Sequence, residues 1–556
     1  MNDRSSHHAS HPSTRGRVVL IGAGPGDPGL LTMRGHHVLA DADVVVYDRD
    51  VARLLRMARP EAERIEVGAP AEGPMAQDAI AMLIAEKARE GKLVARLKWG
   101  DPFLFGSGAK EALFLHEQRV PFEVVPGVPL AMGSAYAGVP ITYPGGQDAL
   151  VFLRGHESAG EAAPDVDWKA LASLDGTIAA YTHGRQAAAI MAMLIKHGRP
   201  ASQSAALIYA GTLPQQHTIT GTLTELSAVV ENRDDAALLI VGEVAGLRGH
   251  LRWFDQRPLF GKRIVLTRSR EQARDLVDLL EGLGAQTIEA PTFRLVPAED
   301  PEAVDRAVAS AHQYRWIVFE SANAVSRFCA SLLNGSRDLR ALGGVRVAAI
   351  GPSTADRLES FGLRPDVVVP ESGTEATANA IEANGADGAL SGARVLVVRP
   401  DHGRVEQARE TLASELGRRG ADATDLIAYR TVAGSSETAA AQDLYRQLLD
   451  GVVDAVTFTT PTAVQRFVDL IGRDQAADLL NQTVVVAIGP VTAAAASALG
   501  IASPQVAEPF TVAGMVGTLV RELALSPSRR ARTPITLIRV KNRAFCDRGI
   551  DRSRDL

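Results

Sequence analysis

The chain has 556 residues, more than one hydrophobic core organises, so about three domains are expected. With 46% hydrophobic and 22% charged residues it reads as globular, and a net charge of -6 argues against nucleic acid, which needs a basic face. Its two cysteines, Cys329 and Cys546, make neither a disulfide framework nor a paired-cysteine metal site, which fits a reducing cytoplasm, and no apolar run is long enough to span a bilayer.

Residues 1–16 are polar and rich in His and Ser. They lack the apolar core of a signal peptide and are expected to be a disordered leader, with His7, His8 and His11 part of a loose tail rather than metal ligands. A first domain is expected over residues 17–251. It opens with a buried strand, Val18–Ile21, then a Gly/Pro loop, a helical pattern through Leu39 and a second strand at Val44–Tyr47. Strand and helix patterns alternate to about Pro126, as in a mostly parallel sheet. Gly155 to Asp167 reads as a linker. Strands near Thr177–Tyr181, Ala205–Tyr209 and Ala237–Gly242 then predict a second α/β lobe. Residues 252–260 are expected to connect it to a new strand, Ile264–Thr267.

Residues 261–525 contain an internal repeat. Ala349-Ile350-Gly351-Pro352 returns as Ala487-Ile488-Gly489-Pro490 at an offset of 138, and Phe319 to Val325 returns as Phe458 to Val464 at 139. Leu266-Thr267-Arg268 matches Val397-Val398-Arg399 at 131. Three anchors in order at nearly constant spacing predict a duplicated α/β unit, and twin domains often bind a large ligand in the cleft between them. Residues 526–556 are strongly basic and are expected to be a solvated tail.

Three stretches of the first domain carry chemistry. Gly22-Ala23-Gly24-Pro25-Gly26-Asp27-Pro28-Gly29 lies between a strand and a helix, where glycine permits a tight turn and close approach of a ligand. Its two prolines remove N–H donors that a dinucleotide would need. Lys98-Trp99-Gly100-Asp101-Pro102-Phe103-Leu104-Phe105-Gly106 reads as a strand end and sharp turn exposing a carboxylate and two aromatics together. The third is Ala135-Tyr136-Ala137-Gly138-Val139-Pro140.

With Val45-Val46-Tyr47-Asp48, Val125-Pro126-Gly127-Val128, Gly211-Thr212-Leu213-Pro214 and Gly242-Glu243-Val244, this ordered set resembles the tetrapyrrole methylase family, most closely its uroporphyrinogen-III C-methyltransferases. The resemblance covers Arg17 to about Leu251. It implies two α/β lobes with S-adenosyl-L-methionine folded between them, and it places Gly24, Pro25, Gly100, Asp101, Phe105 and Thr182 at the cofactor. Catalysis there is mainly orientation of an activated methyl against a pyrrole carbon, and the resemblance makes Asp48 the base that takes the released proton. A homodimer through this domain is also implied. The chain departs from the family at several positions: Asp50, Trp99 in place of a glycine, Ser107 in place of an arginine, Pro129-Leu130, Tyr143-Pro144, Thr182-His183 and Tyr209-Ala210.

The repeated region has no Ser-His-Asp set, metal cluster or nucleotide loop. Its distinctive positions are hydroxyls and amides at strand-to-helix turns: Ser321, Asn323, Ser353, Thr354, Thr460, Thr462 and Thr492. Such residues cap helices, and helix N-termini facing one cleft also suit a polycarboxylate. The series Val265-Leu266-Thr267-Arg268, Phe319 to Val325, Ile350-Gly351-Pro352-Ser353-Thr354-Ala355, Val397 to Arg404, Ala428-Tyr429-Arg430-Thr431, Phe458 to Val464 and Ile488 to Ala493 resembles uroporphyrinogen-III synthase.

That resemblance implies two flavodoxin-like domains joined by a two-stranded hinge, one inserted in the other over about 293–433. It also implies closure of hydroxymethylbilane with loss of water and inversion of the last ring, without a cofactor. Tyr429 aligns with the family's cleft tyrosine and is the expected acid, while Arg268, Arg399 and Arg404 are expected to meet substrate carboxylates.

The fold expected is therefore α/β throughout. The function expected is a fusion in which the synthase product is the methylase substrate, leading toward sirohaem or cobalamin. A second reading keeps the synthase active beside a methylase-like scaffold or S-adenosylmethionine sensor. Two other classes are disfavoured: a periplasmic-type binding protein by the missing signal peptide, and a nucleotide oxidoreductase by Pro25 and Pro28 and by the need to press Asp43 or Asp48 into ribose binding.

Overall fold

The computed structural model describes residues 16–525 other than 60, 68–74, 145–148, 156–162, 231–234, 269–273, 291–292, 335–336, 370–373, 385–389, 402–410 and 434–437. The expected leader and basic tail, Arg404 and most of the Gly155–Asp167 linker lie outside the described residues. Two compact units result, one running to Arg263 and including Asp278–Gln286, the other holding Ile264–Val277 and Thr287 onward.

In the first unit, β1 (Arg17–Gly22), β2 (Val44–Tyr47), β3 (Glu63–Glu66), β4 (Leu93–Lys98) and β5 (Phe122–Val125) form a sheet in the order β3-β2-β4-β1-β5, with every pairing parallel. Alternation along a strand sends neighbours to opposite faces. Val18, Leu20, Val44 and Val46 enter one core with Ile80 and Ile84 of the helix Gln77–Arg89, while Val19, Ile21 and Val45 enter another with Leu39 and Leu54. Both faces are covered, and β1 and β2 accordingly read as continuous apolar runs.

The second sheet contains β6 (Ala149–Arg154), β7 (Gly176–His183), β8 (Ser204–Tyr209), β9 (His217–Thr222) and β10 (Ala236–Val241) in the order β6-β7-β10-β8-β9. Only β6 and β7 pair in parallel; the other three pairings are antiparallel. Two of these strands, β6 and β9, had no separate sequence expectation. Residues 252–260, expected as a connection, lay Trp253 and Phe254 against Tyr136 of the same unit, with ring centroids 5.1 and 4.8 Å away.

The remaining strands are β11 (Arg263–Leu266), β12 (Gln286–Glu289), β13 (Phe293–Pro297), β14 (Trp316–Phe319), β15 (Arg346–Ile350), β16 (Val367–Val369), β17 (Arg394–Asp401), β18 (Asp422–Ala433), β19 (Ala455–Phe458), β20 (Val484–Ala487) and β21 (Gln505–Val506). They form one sheet in the order β12-β11-β19-β20-β21 and another in the order β13-β18-β17-β14-β15-β16. The repeat anchors place β11, β12, β14, β15 and β16 in the first copy and β17 to β21 in the second. Each sheet therefore takes two strands from one copy and three from the other. Counted within its own copy, each sheet has the flavodoxin-like order 2-1-3-4-5, with β13 added at one edge. β13 runs antiparallel to the long strand β18, with Phe293 opposite Ala433 and Pro297 opposite Tyr429.

Candidate functional site

In the first unit the loops leaving β1, β4 and β5 converge beyond the carboxyl ends of the strands, the usual ligand position in parallel sheets. Gly24 and Gly100 exchange backbone hydrogen bonds of 3.2 and 2.9 Å, both at positive φ (+76° and +66°). A Cβ on Gly22 or Gly127 would collide with the other's backbone, so these loops close only with glycine. Asp101 braces the junction: its carboxylate accepts from Phe103 N at 2.8 Å and Gly127 N at 3.0 Å. The carboxylate and two aromatics expected to be exposed together are thus separated in role. Phe103 is 55% exposed, whereas Phe105, at φ +56°, meets Tyr181 edge-on with centroids 5.1 Å apart.

Pro25 is buried, and a Cβ on Gly133 would lie 3.3 Å from it. Thr182 is buried and its hydroxyl donates to His183 O at 3.1 Å. Trp99 does not obstruct the loop, because its ring packs on the core holding Ile21, Ala23 and Leu97. Asp27, in the glycine loop, accepts from the Tyr136 hydroxyl at 2.8 Å, and burial first, then that bond, raises the phenol well above its ordinary pKa.

Asp48 stands at the end of β2 with its side chain 31% exposed, accepting from Arg96 Nη2 at 2.9 Å. Beneath it lies a buried charge network. Arg96 Nε is 3.6 Å from Glu111 Oε1, and the same oxygen accepts from Lys98 Nζ at 2.8 Å and Ser107 Oγ at 3.1 Å. Burial, then the Arg96 charge, holds Lys98 below the ordinary lysine pKa, while Glu111 opposes the shift. The arrangement fixes one carboxylate at the strand ends with a guanidinium that cannot swing away.

In the second unit, Ser321 caps the helix Ala322–Asn334 by accepting from Ala324 N at 3.2 Å, and Thr460 caps Pro461–Ile471 by accepting from Ala463 N at 3.1 Å. These equivalent hydroxyls come from the two different sheets. Thr354 and Thr492 are not caps: Gly351 and Gly489 hold those positions, and both threonines are buried in the first helical turn. Asn323 is half-buried, Thr462 and Arg268 are exposed. Tyr429 is buried on β18, its hydroxyl 3.0 Å from Ser321 Oγ. Arg399 is half-buried with Nε 3.2 Å from Asp425 Oδ1.

The structure brings Ser321 and Tyr429 together, a pairing the sequence did not specify, and sequence reasoning missed Arg96, Glu111 and the contact of Asp27 with Thr212. The signal for Arg96 was a charge between the apolar residues Ala95 and Leu97 of a strand, where a fully buried ion requires a partner. Glu111 carries no such local mark. Among the described residues there is no group of three His, Cys, Asp or Glu suited to a metal, and no helix is long and apolar enough to cross a membrane.

Two families match the chain: tetrapyrrole (corrin/porphyrin) methylases over residues 17–227, and uroporphyrinogen-III synthase HemD over residues 274–517. A relative from Ruminiclostridium josui described as porphyrin biosynthesis protein HemD is 37% identical over 356 residues, 63% of this chain and 70% of that protein. A siroheme synthase of Neisseria meningitidis is 45% identical over 244 residues, 43% of this chain; the chain spans about half (50%) of that enzyme's length. Among solved structures, uroporphyrin-III C-methyl transferase from Thermus thermophilus, complexed with S-adenyl homocysteine, is similar at 34% identity over 42% of this chain and all (100%) of that one, with TM-score 0.37. A mutant uroporphyrinogen III synthase from Thermus thermophilus is similar at 22% identity over 47% of this chain and 98% of its own, with TM-score 0.34.

Proposed function

Since the chain belongs to the porphyrin biosynthesis HemD family, with a tetrapyrrole methylase region followed by a uroporphyrinogen-III synthase region, we propose that it performs two consecutive steps of tetrapyrrole synthesis. The second region closes hydroxymethylbilane to uroporphyrinogen III with loss of water and inversion of the last ring. The first region methylates that product toward precorrin-2 and sirohaem. The observation that carries this reading is the 356-residue alignment with one relative, which is longer than the chain before residue 274 or the chain after residue 227 and so reaches into both matched regions.

In the methylase region, residues 17–251, the glycine loops are the proposed seat of S-adenosyl-L-methionine: Gly22 and Gly127 let the loops meet backbone to backbone, and Gly24 and Gly100 take the positive φ that the turns need. Gly24, Pro25, Gly100, Asp101, Phe105 and Thr182 are proposed to hold it, Asp101 by bracing the loops and Phe105 by its apolar face. The bound cofactor supplies a methyl group on a sulfonium. Asp48 accepts the proton that the methylated pyrrole system releases, and Arg96 holds its carboxylate in place. A homodimer through this region and a cytoplasmic location complete the reading.

In the synthase region, residues 261–525 with an inserted lobe over about 293–433, Tyr429 donates a proton to the departing hydroxyl of the bilane. Ser321, Asn323, Thr460 and Thr462, at helix N-termini, face substrate carboxylates, with Arg268 and Arg399 as paired cations and Thr354 and Thr492 in the first turns of their helices. No cofactor is required for this step. The test is a coupled assay of the whole chain with fresh hydroxymethylbilane, with and without S-adenosylmethionine. Type III uroporphyrin without cofactor and a methylated product with it are expected. Type III product that stays unmethylated would reduce the first region to a scaffold or sensor, and type I alone would overturn the synthase reading.

A further inference from the structure

The turn after β8 combines strain with burial. Ala210 and Thr212 flank Gly211 at φ +48° and +68°. A left-handed backbone is an outlier for a β-branched residue, and such conformations persist only where the surroundings over-determine them, commonly beside ligands. Here the surroundings are specific. Thr212 is buried, its N–H donates to Gln216 Oε1 at 2.9 Å, and its Oγ1 accepts from Asp27 N at 3.0 Å. Gln216 is itself buried, and its amide nitrogen meets no acceptor among the described residues, so the satisfied group of its side chain is the carbonyl that holds Thr212. A Cβ on Gly133 would lie 3.0 Å from Thr212 Cγ2, and one on Gly26 would lie 2.9 Å from the Leu213 side chain, so the turn and the glycine loop are in close contact.

The bond between Thr212 and Asp27 joins residues 185 positions apart, one following a strand of the second sheet and the other a strand of the first. Within its own lobe the Gly24–Asp27 loop is held by Gly100, and beyond it by Thr212 and by Tyr136 on the Asp27 carboxylate. We propose that Thr212 is a positioning residue for cofactor binding: its hydroxyl oxygen, locked by the strained turn, fixes the glycine loop in the shape that receives S-adenosylmethionine. This rests on the reading of the first region as a methylase.

The test uses the full chain with three variants. Thr212→Ser keeps the oxygen, Thr212→Val keeps the shape without it, and Thr212→Ala removes both. Affinity for S-adenosylhomocysteine is measured by calorimetry and the Asp27 amide by hydrogen exchange, with type III ring closure reporting an intact chain. T212S is expected to bind within about threefold of the parent. T212V and T212A are expected to bind about tenfold more weakly, about 1.4 kcal/mol, with the Asp27 amide exchanging about tenfold faster. Unchanged affinity, or unchanged exchange, in T212V and T212A overturns the proposal. A parent chain that binds no S-adenosylhomocysteine would overturn the cofactor reading and, with it, the positioning role; exchange would then still report whether the latch itself exists.

Discussion

Glu111→Gln removes the single anion on which two buried cations converge. Glu111 is 1% exposed and Lys98 6%, and Lys98 Nζ lies 2.8 Å from the carboxylate. Breaking a buried ion pair from one side costs roughly 3–5 kcal/mol, because the partner charge is left uncompensated. In a region of this size that lowers the melting temperature by about 2–4 °C per kcal/mol, so the transition should fall by about 6–20 °C. The loss also depends on pH. Lys98 already sits below the ordinary value of 10.5, through burial first and then Arg96. Between its folded and unfolded values the unfolded chain binds more protons, so this group's contribution to stability rises with pH through that window.

Removing Glu111 takes away the charge that opposes the shift and extends the window downward. The deficit of Glu111→Gln should therefore be largest near neutrality and shrink as pH rises toward the unfolded lysine value. Calorimetry of the full chain at neutral and alkaline pH measures this. Adding Lys98→Met should restore about half the loss, since a neutral pair leaves no stranded charge. A Glu111→Gln transition within about 2 °C of the parent, on the scale expected for less than about 1 kcal/mol, or no recovery in the double variant, would show that water reaches the network and that the cations need no buried partner.

Ser321→Ala and Tyr429→Phe should each slow ring closure by about tenfold, the worth of one hydrogen bond of about 1.4 kcal/mol. Because the two hydroxyls are 3.0 Å apart, the double variant should be little worse than the poorer single; rate factors that multiply would show that the groups act separately. Trp99→Gly restores the family residue but removes a ring packed on the first core, so it should lower stability by about 2 kcal/mol without faster methyl transfer, as thermal unfolding and single-turnover rates would show.

A good deal of the fold was legible along the chain. The apolar runs Val18–Ile21 and Val44–Tyr47 carry enough β-branched residues to read as strands buried on both faces, and they are β1 and β2. The glycines at 24 and 100 marked turns that need positive φ, and Ser321 and Thr460 marked helix starts. These are local properties, set by each residue's own backbone and its neighbours three or four positions away.

Other features belong to the tertiary structure. The antiparallel pairings of β8 with β9 and β10 depend on which edges meet, and no residue in those strands specifies it alone. Ser321 reaches Tyr429 across 108 residues, and Asp27 reaches Thr212 across 185. Glu111 looks like a surface charge until folding buries it beside Arg96.

The repeat shows the division most sharply. The sequence contains two copies in tandem, whereas the structure exchanges β11 and β12 for β17 and β18 to complete each sheet. Both copies present nearly the same apolar strand edges, so the local pattern permits either pairing. What differs is the company each pair keeps: β17 and β18 stay paired with one another, and β13 and β14 of the first copy take their place beside them.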